Sequence, residues 1–154
     1  MSNELVLPDF NNLPEMSLQD VRDLIGKVEE ACLLGGEQID IPINHHFSNA
    51  VYAREMQMPQ GALIVGKIHK KENLNILSKG EVSVLSIDGL VRVRAPYTFV
   101  GSPGAKRVIY AHEDVVWTTI HGTEEKDLEK IENEFIAKTY EELPLEVKEK
   151  LCLG

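Results

Sequence analysis

Four basic side chains on predicted strands could together hold an anion and move protons. Lys67 and His69 stand two residues apart, and Arg107 and His121 follow further along the chain. Arginine offers a two-pronged donor to a phosphate or carboxylate, and lysine offers a point charge. Histidine titrates near neutrality and can serve as acid or base. Metal-free phosphodiester cleavage needs an acid, a base and cationic groups that stabilise the transition state, and these four side chains would supply them.

Strand alternation predicts which further polar side chains share the inward faces. The strand over 51–58 divides into one face with Tyr52 and Arg54 and another with Ala53 and Glu55. Alternation alone leaves open which of these faces is inward. The predicted set contains few carboxylates, and buried cations without partners are costly, so such a pocket favours an anion. The candidate catalytic residues are His69, His121, Lys67 and Tyr52, and the candidate ligand-binding residues are Arg107, Lys106, Asn73, Asn75, Arg54, His45, His46 and Trp117.

Several of these candidates also have a purely structural interpretation. His69 could be a core histidine with satisfied hydrogen bonds, and Lys67 could bury its stem while its charge reaches solvent. Trp117 could be a core side chain rather than a platform for a ligand ring. His45 and His46 are neighbours on a predicted strand, so they cannot both face inward.

Length and composition predict one globular domain. The chain has 154 residues, of which 43% are hydrophobic and 27% charged, which is typical of a folded domain rather than a disordered one. No apolar run approaches the roughly 18 residues that a membrane helix needs, and the N-terminus lacks a signal-peptide pattern. Cys32 and Cys152 lie near opposite ends without metal-ligand spacing, so free thiols are expected. These features predict a soluble protein of the cytoplasm without membrane association.

The charge of −9 is distributed unevenly along the chain. Residues 1–50 carry a net charge of −7 and residues 122–154 carry −5, whereas residues 51–121 carry +3. Acidic ends argue against general nucleic-acid binding, which needs a basic surface. A basic centre suits a small anionic ligand, although acidic helices that merely flank a sheet would give the same distribution.

The hydrophobic period predicts a helix, then a β-rich segment, then further helices. A capping pattern at Ser17 and Asp20 opens a helix over 17–33, which Gly35 and Gly36 end. Over 38–121 the period is two, with turn signals such as Asp88-Gly89, which predicts an antiparallel β-sandwich or β-barrel. Residues 123–154 return to helical spacing. The apolar stripe there, which includes Leu128, is expected to pack on the barrel or on a second copy of the chain.

The stretch from Pro59 to His121 resembles the cupins, small barrels with a double-stranded β-helix fold. The first cupin motif has a glycine, a His-x-His pair, a glutamate and a closing glycine, and the second has Pro-x-Gly followed by a histidine. The turn glycines are kept here, whereas His69 is the one metal-ligand position of four that remains. The matching positions are Gly61, Lys67-Ile68-His69, Asn73 and Gly80 in the first motif, and Ser102-Pro103-Gly104 and Arg107 in the second.

These departures predict a cupin barrel without a metal. Cupin metal sites use about three imidazoles and a carboxylate around one ion. Lys67 and Arg107 instead bring positive charge to two ligand positions, which disfavours a cation. No cofactor is therefore expected, and the same barrel mouth becomes a candidate anion site.

Other segments resemble uncharacterised cupin-like proteins of bacteriophages, over about half of the chain. This resemblance implies a phage origin, and a phage could use such a protein against host nucleotide signals. The matching segments are Asn44-His45-His46-Phe47, Val51-Tyr52-Ala53-Arg54-Glu55, Gly66-Lys67-Ile68-His69, Ala95-Pro96-Tyr97-Thr98-Phe99-Val100, Pro103-Gly104-Ala105-Lys106-Arg107 and the run from Glu113 to His121.

The favoured interpretation is a metal-independent, cupin-like protein of the cytoplasm that binds and sequesters, or cleaves, a small nucleotide-like anion. If it is an enzyme, a phosphodiesterase is expected. The alternatives are a metal-free isomerase or epimerase and a structural or assembly protein that uses the barrel as a scaffold. A homodimer or higher homo-oligomer is expected, because the chain has more helix than one barrel must cover.

Overall fold

β-Strands dominate the computed structural model, which describes residues 16–35, 39–86 and 89–151. Gly36, Asp88 and Cys152, which the sequence analysis singled out, lie outside these residues. The elements are α1 (Leu18–Gly35), β1 (Ile43–Ser48), β2 (Val51–Met58), β3 (Leu63–Val65), β4 (Ile68–His69), β5 (Asn73–Lys79), β6 (Glu81–Ser86), β7 (Gly89–Arg94), β8 (Tyr97–Gly101), β9 (Val108–Ala111), β10 (Val115–Gly122), α2 (Leu128–Phe135), β11 (Ile136–Ala137), a 3₁₀ turn (Tyr140–Glu142) and α3 (Leu145–Lys150).

Two antiparallel sheets lie face to face. One has the strand order β1-β2-β10-β5-β8 and the other β3-β9-β6-β7, while β4 and β11 form a short separate pair. The chain crosses between the two larger sheets at β2–β3, β5–β6, β7–β8, β8–β9 and β9–β10, and it returns from β3 to β5 through β4, which is a jelly-roll path. The predicted mainly antiparallel fold with an N-terminal helix and C-terminal helices is confirmed. Among the described residues no strand pairing joins the two larger sheets, so they form a jelly-roll sandwich rather than a closed barrel.

The core between the sheets follows from the alternation of side chains along each strand. Met58 and Leu77 enter it from the five-stranded sheet, and Val82 and Ile109 enter it from the four-stranded sheet. Leu77 and Val82 are completely buried. Burying one such side chain contributes roughly 1.5–3 kcal/mol, so this layer holds the two sheets together.

Helix α1 covers the outer face of the four-stranded sheet. The predicted capping pattern is present, since the Asp20 backbone N–H donates to Ser17 Oγ at 3.1 Å and the Ser17 N–H donates to the Asp20 carboxylate at 3.3 Å. One apolar face of the helix, which includes Ile25, packs against Leu85 and Val108. Cys32 is a free, half-buried thiol on this helix.

Helix α2 packs on the chain's own five-stranded sheet. This is one of the two expectations for the apolar stripe of residues 123–154. Asp127 caps the helix by accepting hydrogen bonds from the backbone N–H groups of Glu129 and Lys130. Ile131 and Phe135 then bury themselves against Tyr52 of β2. This contact fixes one face of α2 beside the inner side of the sandwich. No helix in the described ranges combines the length and apolarity needed to cross a membrane.

Candidate functional site

A cavity of about 410 Å³ opens between the two sheets beside helix α2. This volume lies within the range of small-molecule sites. Strands β2 and β10 supply one wall, β3 and β9 supply the opposite wall, and α2 covers a third side. The cavity-lining residues are His45, Tyr52, Arg54, Met56, Ile64, Val65, Gly66, Lys67, His69, Arg107, Ile109, Trp117, His121, Leu128, Ile131, Glu132, Phe135 and Ile136.

The register of β1 against β2 decides which side chains reach the cavity. His45 pairs with Arg54, and both line the cavity. His46 and Glu55 project to the other side of the sheet, where their side chains lie 3.6 Å apart. Of the two neighbouring histidines, His45 therefore belongs to the cavity and His46 does not.

Four near-parallel rings run along the cavity wall from β1 to β4. The ring centroids of His45 and Tyr52 are 5.9 Å apart, those of Tyr52 and His121 are 6.1 Å apart, and those of His121 and His69 are 5.9 Å apart. His45 Nδ1 and the Tyr52 hydroxyl are joined by a 2.7 Å hydrogen bond. Burial is the main reason that the pKa of Tyr52 lies above its ordinary value, so its hydroxyl keeps its proton at neutral pH.

The two inner histidines are neutral at neutral pH. Burial, followed by the charge of Arg107 and the proximity of His121 and Arg54, lowers the pKa of His69 from 6.5 to about 4. Burial and Arg54 also lower the pKa of His121. The expectation that these histidines titrate near neutrality is therefore wrong for His69.

His121 carries an unsatisfied polar atom. The residue is 6% exposed, and its Nδ1 has no hydrogen-bond partner among the described residues. Phe135 of α2 packs beside it with ring centroids 4.5 Å apart. A buried polar nitrogen without a partner costs free energy.

Arg107 lies at the buried end of the cavity, immediately before β9. The residue is 9% exposed, and its guanidinium carbon lies 5.5 Å from the centre of the Phe99 ring. Gly101 makes room for it, because a Cβ at that position would lie 2.2 Å from Arg107 Nη2 and 2.6 Å from Asn73 Oδ1. The glycine at the end of β8 therefore leaves the space that the guanidinium occupies.

Two buried asparagines, Asn73 and Asn75, form hydrogen bonds to residues of the cavity wall. Asn73 Nδ2 lies 3.1 Å from His69 Nδ1, and Asn75 Nδ2 donates to Asn73 Oδ1 at 2.6 Å. Asn75 Oδ1 accepts hydrogen bonds from Trp117 Nε1 at 3.0 Å and from the Thr119 hydroxyl at 3.1 Å. Neither asparagine lines the cavity, so both orient residues that do.

The two predicted lysines have different surroundings. Lys67 lines the cavity where it meets solvent and pairs with Glu132 of α2. Lys106 does not line the cavity. It pairs instead with Glu29 of α1, because neighbouring residues of an extended segment project to opposite sides and Arg107 faces inward.

Glu132 is a cavity residue that the sequence analysis missed. Lys67, through a hydrogen bond and its charge, lowers the pKa of this carboxyl, and Arg54 lowers it further, so Glu132 is ionised at neutral pH. The signal was present in the sequence, since Leu128, Ile131, Glu132 and Phe135 follow the i, i+3, i+4, i+7 spacing of one helical face.

The residues present do not fit a cupin-type metal. No group of three or more His, Cys, Asp or Glu side chains in the described part of the chain is arranged to hold an ion. Arg54 and Arg107 both act electrostatically on His69, and their charge opposes a cation beside that imidazole.

No protein-family model matches the sequence, and no curated protein matches it. Among solved structures, a cupin superfamily protein from Desulfitobacterium hafniense DCB-2 is 12% identical with a TM-score of 0.49, over 60% of this chain and 86% of that one. KdgF from a Halomonas species is 13% identical with a TM-score of 0.48, over 56% of this chain and 85% of that one. An RmlC-like cupin family protein with a double-stranded β-helix fold from Methanocaldococcus jannaschii is 11% identical with a TM-score of 0.47, over 57% of this chain and 84% of that one. The structural neighbours of this chain thus include several cupin-domain proteins.

Proposed function

We propose that this chain is a cupin-type protein that binds and sequesters a small nucleotide-like anion, without a metal, in the cavity between its sheets. The observation that carries the proposal is the placement of Arg54 and Arg107. They extend from opposite walls of one cavity, and both charges lower the pKa of His69. An anionic group of the ligand would relieve this concentration of positive charge.

The apolar and aromatic lining supports a ligand with a planar ring. Trp117 and Tyr52 line the cavity from within buried clusters, and Ile64 and Ile109 add apolar surface from the opposite sheet. Stacking of a base on an aromatic side chain contributes about 1–3 kcal/mol. A mononucleotide fits both features, because its phosphate would lie beside the arginines and its base beside these rings.

Binding of such an anion is coupled to a proton. Negative charge near His69 would raise the pKa of its imidazole, so binding favours protonation of this ring. The affinity for an anion whose own charge does not change with pH should therefore increase as the pH falls. A phage-encoded protein, which the sequence resemblance implies, would use this site to remove a host nucleotide signal.

Cleavage of the bound ligand is a second candidate function. Two neutral imidazoles, those of His69 and His121, lie 5.9 Å apart in the cavity wall, which suits one to accept a proton and the other to donate one after protonation. Arg107 would stabilise the charge of the transition state.

The test is a thermal melt of the full chain with mononucleotides, dinucleotides, sugar phosphates and dicarboxylates. A ligand at a hundred times its Kd stabilises the folded state by about 2.7 kcal/mol, which is several degrees for a chain of this size. The shift should disappear in Arg107→Ala and in Arg54→Gln. It should persist in Arg94→Ala, a matched control in which the substituted side chain is 63% exposed and lies outside the cavity.

The outcomes separate the candidate functions. Equal shifts in the wild type and Arg107→Ala, or no shift with any compound, would refute the anion site and favour a scaffold role. Chromatography of the incubated ligand then distinguishes sequestration, which returns it unchanged, from hydrolysis or isomerisation, which change it.

A further inference from the structure

We infer that a chain of hydrogen bonds from Trp117 through Asn75 and Asn73 holds the proton of the neutral His69 imidazole on Nε2. His69 then meets a ligand as a hydrogen-bond donor. This ligand contact rests on the proposed anion site and specifies it further, because the ligand must present an acceptor, such as a phosphate oxygen, to His69. The position of the proton depends on the protein alone.

Trp117 sets the direction of the chain, because an indole N–H can only donate. It donates to Asn75 at 3.0 Å, so the Asn75 atom that it meets must be the carbonyl oxygen. The Thr119 hydroxyl donates to the same oxygen at 3.1 Å. The amide nitrogen of Asn75 is thereby turned towards Asn73, and it donates to the Asn73 oxygen at 2.6 Å. The Asn73 amide nitrogen is then left for His69.

A backbone carbonyl fixes the orientation of Asn73 independently. The amide nitrogen of Asn73 carries two hydrogens, and it donates one of them to the Lys71 carbonyl oxygen at 3.3 Å. A carbonyl can only accept, so the atom beside it must be the nitrogen. The same nitrogen lies 3.1 Å from His69 Nδ1. Nδ1 is therefore the acceptor of this bond, and the single proton of the neutral ring lies on Nε2.

The other tautomer of His69 would disturb the whole chain. A proton on Nδ1 would require Asn73 to turn its oxygen to His69 and its nitrogen to Asn75, and Asn75 would have to turn in the same way. The Trp117 N–H would then face a donor, and the Lys71 carbonyl would face an acceptor. Trp117 and both asparagines are at most 3% exposed, so such mismatched groups would cost free energy.

The Nε2–H tautomer defines what His69 can do in the cavity. Asn73 occupies Nδ1, so Nε2 is the ring nitrogen left for a ligand in the cavity that His69 lines. An N–H there favours a phosphate or carboxylate oxygen and disfavours an amino group, which would be a second donor. Nε2 also lacks the lone pair with which a general base accepts a proton.

The chain also acts on the proton uptake that a bound anion favours. A second proton on the His69 ring would have to enter at Nδ1, where it would face the Asn73 amide N–H. The anion and the Asn73 contact therefore act in opposite directions on this proton. Asn73 is a positioning residue in this scheme, because it acts on the ligand only through His69.

Long-range ¹H–¹⁵N correlation spectra of the ¹⁵N-labelled full chain, at pH 7 with a chelator, show which nitrogen of each imidazole carries a proton. The signals of His69 are those that disappear in His69→Gln. Asn73→Asp places an oxygen that can only accept beside His69 Nδ1, so Nδ1 should gain a proton. Asn133→Asp is the matched control, because it introduces the same charge at an exposed side chain of α2 that does not line the cavity.

The wild type and Asn133→Asp should show His69 with a proton on Nε2 and none on Nδ1, whereas Asn73→Asp should show a protonated Nδ1. A proton on Nδ1 in the wild type would overturn the inference and leave the anion site intact, and this result does not depend on whether Asn73→Asp folds. The same His69 spectrum in folded Asn73→Asp as in the wild type would also overturn it.

Titration of AMP and of inorganic phosphate into the wild type tests the ligand contact. Either compound, on binding, should shift the Nε2 signal of His69, while the Nδ1 signal reports separately whether a proton is taken up. A compound that raises the melting temperature but leaves the Nε2 signal in place would refute the contact with His69. If neither compound changes the melting temperature or the spectrum, the contact fails together with a phosphate as the ligand of the anion site, whereas the Nε2–H tautomer of the free protein still supports the chain.

Discussion

Acidification should destabilise this protein in part through the imidazole of His69. Its pKa is about 4 in the folded chain and 6.5 in the ordinary state. Between these values the unfolded chain binds a proton that the folded chain rejects, so the free energy of unfolding falls as the pH falls. Above pH 6.5 the imidazole is neutral in both states and the full stability is present.

The magnitude follows from the difference between the two pKa values. That difference corresponds to about 3.4 kcal/mol at pH values well below 4. At pH 5, where the folded imidazole is still largely neutral, the loss is about 2 kcal/mol relative to pH 7. This is a large share of the 5–15 kcal/mol that typically separates folded from unfolded states.

Urea unfolding at pH 7 and pH 5, for the wild type and His69→Gln, measures this contribution. The wild type should lose about 2 kcal/mol more than the variant between the two pH values. The lost contact with Asn73 lowers the stability of the variant at both pH values and cancels in the comparison. His46→Gln, a histidine substitution on the outer face of the sheet, should behave like the wild type. An equal pH-dependent loss in the wild type and His69→Gln would refute the electrostatic account of the site.

Three further outcomes are expected. Purified protein should carry much less than one transition metal per chain by elemental analysis, because Arg54 and Arg107 oppose a cation; about one Zn, Fe or Mn that survives dialysis against chelator would contradict this. Gly101→Ala should lower the free energy of unfolding by about 1–3 kcal/mol in urea titrations, because its Cβ would collide with Arg107 Nη2, whereas Gly122→Ala, which meets no atom within 4 Å, should change it much less. Sedimentation at micromolar concentration should give a homodimer or larger species, and a single species of about 17 kDa would rule this out.

The alternation of strand residues predicted much of the site before its geometry was known. Asn73 and Asn75 share the buried face of β5, and Trp117 and His121 share the cavity face of β10. Period two is sufficient to group residues by face. It could not choose the inward face of β2, because that choice depends on pairing with β10 and on the contact between Tyr52 and α2.

Residues 63–69 show where alternation stops working. In an unbroken strand Leu63 and His69 would share one face, yet Leu63 packs in the cluster under α1, while His69 lines the cavity. The strand ends at Val65, and the Gly66 N–H donates to the Arg107 carbonyl at 2.8 Å. A break in a strand resets the direction of the side chains that follow, and sequence spacing does not reveal such a break.

Glu132 was missed for a different reason, which also explains how the site is balanced. The sequence has a basic centre and acidic ends, and its acidic helices were expected to serve packing alone. Helix α2 instead carries one of its carboxylates to the mouth of the cavity, where it pairs with Lys67. Net charge along a sequence does not give the charge of a site, because tertiary packing brings distant segments together. Arg54 and Arg107, which lower the pKa of His69, and Glu132, which pairs with Lys67, all line this one cavity, although they come from segments of opposite net charge.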